Sequence, residues 1–184
     1  MKKEKLIFGG ISEIRGSDGM GLIILLDEKK QRQLSIVCDK TILLQIQLRI
    51  EKSSVTKILL PEVLARQFKN NAELQYELII DGIVDEQYRT LLYNTKTIES
   101  TLIRTSDAVL LSLIMSIPIY IESSLMSRQS AAYKKDIKGV SIPINTISDT
   151  MLSKALDKAI KEENYELASR LRDEILRRKN RQHF

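Results

Sequence analysis

The chain has 184 residues, 43% of them hydrophobic and 29% charged, with a formal net charge of +5. That is room for one domain of ordinary size with a small appendage, at the composition of a folded protein. One cysteine, Cys38, and one histidine, His183, exclude an internal disulfide and a Cys/His zinc site, and a Ser-His-Asp triad would have to use a histidine next to the C-terminus.

The opening residues carry no signal-peptide pattern. The longest apolar stretch, Val109 to Ile121, holds two serines and Pro118 and falls well short of the roughly 20 residues of a membrane span. It reads as buried core, and the protein as cytoplasmic. Cys38 ends an apolar alternation and reads as a small core residue. Residues 1–131 carry 17 Lys/Arg against 16 Asp/Glu, so the excess charge lies beyond them. That is a weak footprint for nucleic acid, which favours a clustered basic face.

In chain order, Lys5 to Ile14 is a strand candidate with Gly9 and Gly10 at a bulge. Gly16-Ser17-Asp18-Gly19 is a turn. Met20 to Asp27 is a continuous apolar run, hence a strand buried on both faces. After a polar loop, Glu28 to Gln31, the segment Arg32 to Cys38 alternates with Leu34, Ile36 and Cys38 on one side. From Thr41 to Ile50 the spacing turns helical, with Ile42, Leu43, Ile46 and Ile50 on one face and Asp39 as N-cap. Pro61 suits the first turn of a second helix, with Val63, Leu64 and Phe68 on its apolar face. Leu74, Tyr76, Leu78 and Ile80 alternate as a half-buried strand, and Asp81-Gly82 marks a turn or bulge. Two further strands are expected near Gln87–Tyr93 and Thr97–Ile103.

At Ile103 to Leu111 a strand ends, a polar elbow follows and an apolar helix begins. Pro118 to Ile121 reads as a short strand and Ser123 to Ala132 as a short helix. Residues 132–148 form a linker. In residues 149–184 Leu152, Leu156, Ala159 and Ile160 make one helical stripe, and Tyr165, Ala168, Leu171 and Ile175 a second. Glu163-Asn164 lies between them, which predicts an antiparallel helical hairpin. Neither stripe is broad enough to be stable alone, so the module should pair with something. The expected fold is α+β: a compact mixed β-sheet domain with packed helices over residues 1–131, the linker, and the hairpin over 149–184.

Two segments carry a resemblance. Arg104-Thr105-Ser106-Asp107-Ala108-Val109, followed by Ile117-Pro118-Ile119-Tyr120, resembles the signature of the bifunctional nuclease family. There an R-x-S-D-A-[IV] elbow opens a helix, and an apolar-Pro-[IV]-[YF] strand follows. The likeness covers about residues 5–131 and implies hydrolysis of DNA and RNA phosphodiesters. Tyr165-Glu166-Leu167-Ala168-Ser169-Arg170-Leu171-Arg172-Asp173-Glu174-Ile175 resembles the UVR motif of the nucleotide-excision nuclease subunits, a hairpin that binds another hairpin. Two family patterns differ here. Where members carry G-x-F-E-A, this chain has Asp39-Lys40-Thr41-Ile42-Leu43. Where they carry L-T-H-[DE]-L, it has Leu59-Leu60-Pro61-Glu62-Val63.

Metal-assisted phosphodiester hydrolysis needs oxygen ligands for Mg²⁺ or Mn²⁺. Asp107 is the first candidate ligand, Glu62 the second and Asp39 a remote third, while Arg104 and Ser106 could contact phosphate oxygens. The same residues admit a structural role, with Thr105 or Ser106 capping the helix, Asp107 complementing its dipole and Arg104 pairing with an acid. Phosphate binding without catalysis is a third option. In the tail, Arg170, Arg172, Arg177, Arg178, Lys179 and Arg181 could touch nucleic acid, but interleaved acids favour a solvated face. The residues expected to bind a partner are Leu152, Leu156, Tyr165, Ala168, Leu171 and Ile175. The partner is a helical protein or a second copy, giving a homo-oligomer. Two functions therefore stand: a metal-dependent nuclease, or a catalytically degenerate relative acting as an adaptor through its hairpin.

Overall fold

A computed structural model describes residues 2–14, 20–69, 75–133, 144, 147 and 149–181. The chain divides into two compact units, Met1–Ser141 and Ile142–Phe184.

The first unit is a mixed sheet. Strands β1 (Lys3–Glu13), β2 (Met20–Asp27) and β3 (Arg32–Asp39) form an antiparallel meander. Helix α1 (Lys40–Ile50), a 3₁₀ turn (Ser54–Ile58) and helix α2 (Leu60–Lys69) come next. Strands β4 (Tyr76–Val84), β5 (Gln87–Asn94) and β6 (Ser100–Arg104) make a second meander. Helix α3 (Thr105–Met115) then leads to β7 (Ile119–Glu122), α4 (Ser123–Gln129) and β8 (Ala131–Ala132). The sheet order is β6-β5-β4-β7-β1-β2-β3-β8. Strand β7 unites the two meanders: it runs parallel to β4 and antiparallel to β1. A parallel pairing needs a crossover, and α3 lies within it.

The apolar run of β2 is explained by cover on both sides, with Leu22, Ile23, Leu25 and Leu26 all buried. Helix α1 sits close on this strand. A Cβ at Gly21 would meet Leu43 Cδ1 at 2.7 Å, so glycine is what lets the helix approach. Leu34, Ile36 and Cys38 are buried, as the alternation predicts. Both glycine bulges are present: the register shifts between Phe8 and Gly10, where Gly10 has φ +131°, and between Ile80 and Gly82. The guanidinium of Arg89 grips the bulged Asp81 through two hydrogen bonds of 2.7 Å.

The β2–β3 corner is tied by Asp27. Its Oδ1 accepts from the N–H groups of Gln31 (2.7 Å) and Arg32 (3.1 Å), and Oδ2 accepts from Arg32 Nε at 3.2 Å. Burial pushes this carboxyl up, but those hydrogen bonds outweigh it and hold the group below its ordinary 3.8.

Three expectations need correction. Helix α1 buries Ile42, Leu43 and Ile46, but Ile50 at its end is 46% exposed. Helix α2 buries Ala65, while Leu64 and Phe68 face outward. The last helix of the unit stops at Gln129, because Ala131 and Ala132 pair with Gln33 and Arg32 of β3. Leu74 lies outside the described residues, as do the turn at residues 16–19, most of the linker and His183.

The second unit is the helical hairpin α5 (Asp149–Lys161) and α6 (Tyr165–Arg181). Glu163 takes a left-handed φ of 55° to end α5, and Asn164 Oδ1 accepts from Leu167 N at 3.2 Å to cap α6. Leu152, Ala159, Ala168 and Leu171 are buried, whereas Ile160 and Tyr165 from the same stripes are exposed. Arg178 is only 6% exposed. It donates to the carbonyls of Ile147 (2.8 Å) and Ile144 (3.2 Å) and pairs with Asp149 and Glu174. Burial raises the Glu174 carboxyl, and the hydrogen bonds from Arg177 and Arg178 more than reverse this, holding it below 4.5.

Because Asp27 and Glu174 are both depressed in the fold, their stabilisation is complete above the unfolded values and is lost as pH falls through the folded ones. Thermal unfolding midpoints should be flat from about pH 7 to 5 and fall below about pH 4, with a weaker fall in Asp27→Asn and Glu174→Gln. Gly21→Ala should cost about 1–3 kcal/mol in chemical denaturation, since Leu43 must shift to admit the methyl group.

Candidate functional site

The elbow contains no loop: β6 ends at Arg104 and α3 starts at Thr105. The junction is pinned from the inside. Thr105 Oγ1 donates to the carbonyl of Tyr88 at 2.9 Å, and the Thr90 hydroxyl lies 2.7 Å from it. Both threonines are buried, so the start of α3 is bolted to β5. This differs from the expected cap. Arg104 occupies the N-cap position, and its side chain makes no capping hydrogen bond. Ser106 is also buried, at 8% exposure, on the packed side of the helix.

On the open side, Arg104 folds back on Asp107 with a two-pronged contact, Nε to Oδ2 at 2.6 Å and Nη2 to Oδ1 at 3.1 Å. Its third nitrogen, Nη1, reaches Asp39 Oδ2 at 3.4 Å. The side chains of Arg104, Asp39 and Asp107 are 60%, 43% and 34% exposed. The Asp107 hydrogen bonds, with the charges of both acids, raise the guanidinium above its ordinary value. Asp39 is fixed independently, since its Oδ1 caps α1 by accepting from Ile42 N at 2.9 Å. One carboxylate oxygen thus holds a helix start and the other faces Arg104. Helices α1 and α3 pack on each other, which brings Asp39 to a partner 65 positions away.

Glu62 stands apart from this group. Arg49 grips it at 2.7 Å, and it lines a separate cavity of 210 Å³ with Thr56, Lys57, Ala65, Arg66 and Ile114. Ile114 lies about two helical turns along α3 from Asp107. The structure therefore joins Asp107 to the remote third candidate, Asp39, rather than to Glu62. Among the described residues no three His, Cys, Asp or Glu side chains group to hold a metal. Asp107 and Asp39 are two partly exposed carboxylates, and carboxylate oxygens are the donor type that Mg²⁺ or Mn²⁺ takes.

The expected partner-binding residues divide. Leu152, Ala168 and Leu171 are buried, Leu156 and Ile175 half-buried, and Tyr165 exposed. Of the tail cations, Arg178 is buried among acids and carbonyls, and Arg177 pairs with Glu174. Neither is a free cation for a phosphate. Sequence reasoning missed the anchoring role of Thr105, Thr90 and Tyr88. Its one sign was a polar Thr90 in phase with Tyr88 on β5.

The model of the bifunctional nuclease domain matches residues 23–134, more than half of the chain. The chain belongs to the bifunctional nuclease domain family. A UvrB/UvrC motif matches residues 152–180, which is the α5–α6 hairpin. No curated protein matches the chain. In this member of the bifunctional nuclease family, Ile42 is a core residue at 6% exposure. No helix among the described residues is long and apolar enough to cross a membrane.

Thr105→Val should remove the hydroxyl that the Tyr88 carbonyl and the Thr90 hydroxyl share. Denaturant unfolding should then show a loss of about 1–3 kcal/mol.

Proposed function

We propose that the chain hydrolyses phosphodiester bonds of DNA or RNA with a divalent metal at the β6–α3 elbow. The observation that carries this reading is the single guanidinium of Arg104 shared by Asp107 and Asp39 on an exposed rim. Asp107 and Asp39 would hold the Mg²⁺ or Mn²⁺. When bound, such an ion activates water and offsets negative charge on the phosphoryl oxygens. Arg104, displaced from the two acids, is then free to bind a phosphate oxygen in the two-pronged way that guanidinium favours. The first N–H groups of α3, which the Arg104 side chain does not cap, would add an anion-binding edge beside it. Ser106 is buried and serves by packing the start of the helix.

Purified protein with single- and double-stranded DNA and RNA should cleave in Mg²⁺ or Mn²⁺ and not in EDTA. Asp107→Asn and Asp39→Asn should each lower the rate by about 100-fold or more, while Glu62→Gln should leave it nearly unchanged. Absence of cleavage by folded protein in every condition, or cleavage that survives Asp107→Asn, would sink this assignment.

A second reading gives the UVR hairpin a protein-docking role, alongside cleavage or in its place. Exposed Tyr165 and Leu176 are about three turns apart on α6 and share one face. This outward stripe, rather than the buried Leu152 and Leu171, would meet a helical partner. Tyr165→Asp with Leu176→Asp should abolish affinity recovery of protein partners without changing the circular dichroism of the hairpin. Undiminished recovery would rule the stripe out.

A further inference from the structure

Helix α2 and the turn before it leave an apolar face uncovered. Leu60, Leu64 and Phe68 are spaced by four and form one ridge, 69%, 45% and 48% exposed. In the 3₁₀ turn Val55 and Ile58 are spaced by three and eclipse each other, at 54% and 79% exposed. Only Leu59 separates Ile58 from Leu60, so the two rows adjoin. Single exposed apolar residues are ordinary, but five on one short segment are a patch.

Three charges of this segment lie away from it. Lys57, Glu62 and Arg66 line the cavity on the other flank of α2, and Glu62 is held by Arg49. The residues bordering the ridge, Pro61, Val63 and Gln67, are uncharged. A ridge without charge offers nothing to phosphate. It can, however, be packed against its own copy without bringing like charges together. Ridges of residues four apart are also the surfaces that interdigitate in the commonest helix packing. At about 100 Å² for each half-exposed large side chain, five give about 500 Å² per copy, or about 1,000 Å² for a symmetric pair. That is about the least area of a specific interface.

We propose that this face, Val55, Ile58, Leu60, Leu64 and Phe68, is a two-fold interface between two copies of the chain. The same ridge meets itself across the axis, as an isologous contact requires. The interface uses none of the elbow residues. Its modest area makes the association reversible and concentration-dependent.

Sedimentation equilibrium of the full chain over a wide concentration range tests it. The weight-average mass should rise from one chain toward two. Leu64→Asp and Phe68→Asp, at positions already half exposed, should each hold the mass at one chain while leaving the circular dichroism spectrum unchanged. Leu176→Asp, on the outer face of the hairpin, should still dimerise. A wild-type protein that is monomeric throughout overturns the proposal. So does a dimer that survives Leu64→Asp and Phe68→Asp, or one that is lost only in Leu176→Asp.

Discussion

Helix α3 is apolar around most of its circumference, and the first unit is arranged so that it can be covered. Ala108 and Val109 are almost fully buried, and the helix packs against α1 and α2 as well as strands β3 to β6. Because no loop separates it from β6, its rotation is set by the strand and by the Thr105 hydroxyl locked to β5. That rotation decides what the first turn presents to solvent. The threonine and serine go inward, and the arginine and aspartate go outward. The strand after α3 then closes the sheet between the two meanders. One buried helix therefore accounts for the topology and for the exposed elbow.

Arginine is used in two opposite ways in this chain. Arg104 is mostly exposed and shared by two acids, so each of its pairings is screened by water and individually weak. Arg178 is buried, and its guanidinium is spread over two carbonyls and two carboxylates that bind the start of α5 to the end of α6. Removing a partner from that set strands a desolvated charge. The same side-chain chemistry thus makes a structural clasp in the hairpin and a weak, solvated contact at the elbow.

Local pattern carried far into this fold. The unbroken apolar run Met20 to Asp27, the alternation through Leu34, Ile36 and Cys38, the bulge glycines and the Glu163-Asn164 connection are each legible, because each depends on near neighbours in the chain. The approach of Asp39 to Arg104 is not legible, since only the packing of α1 on α3 creates it. Nor can periodicity say whether an apolar stripe is covered. The spacing of Leu64 and Phe68 is that of a core face, yet Ala65 is the residue the fold buries. Arg178 misleads for the complementary reason: composition marks a cation, and only the fold supplies acceptors that let it be buried. The elbow itself was visible as residues, but the inward turn of Thr105 and Ser106 depends on a strand brought alongside by the sheet.

Cys38 is buried at the end of β3, and burial in apolar surroundings pushes its thiol up to about 11. At neutral pH only about one molecule in 10⁴ would carry the reactive thiolate, even before its inaccessibility is counted. A cysteine introduced at a solvent-facing position would then be the one accessible thiol for a maleimide or a spin label, since Cys38 is buried. Paired labels, one on the sheet unit and one on the hairpin, could then measure the separation of the two units without first stripping a native residue from the core.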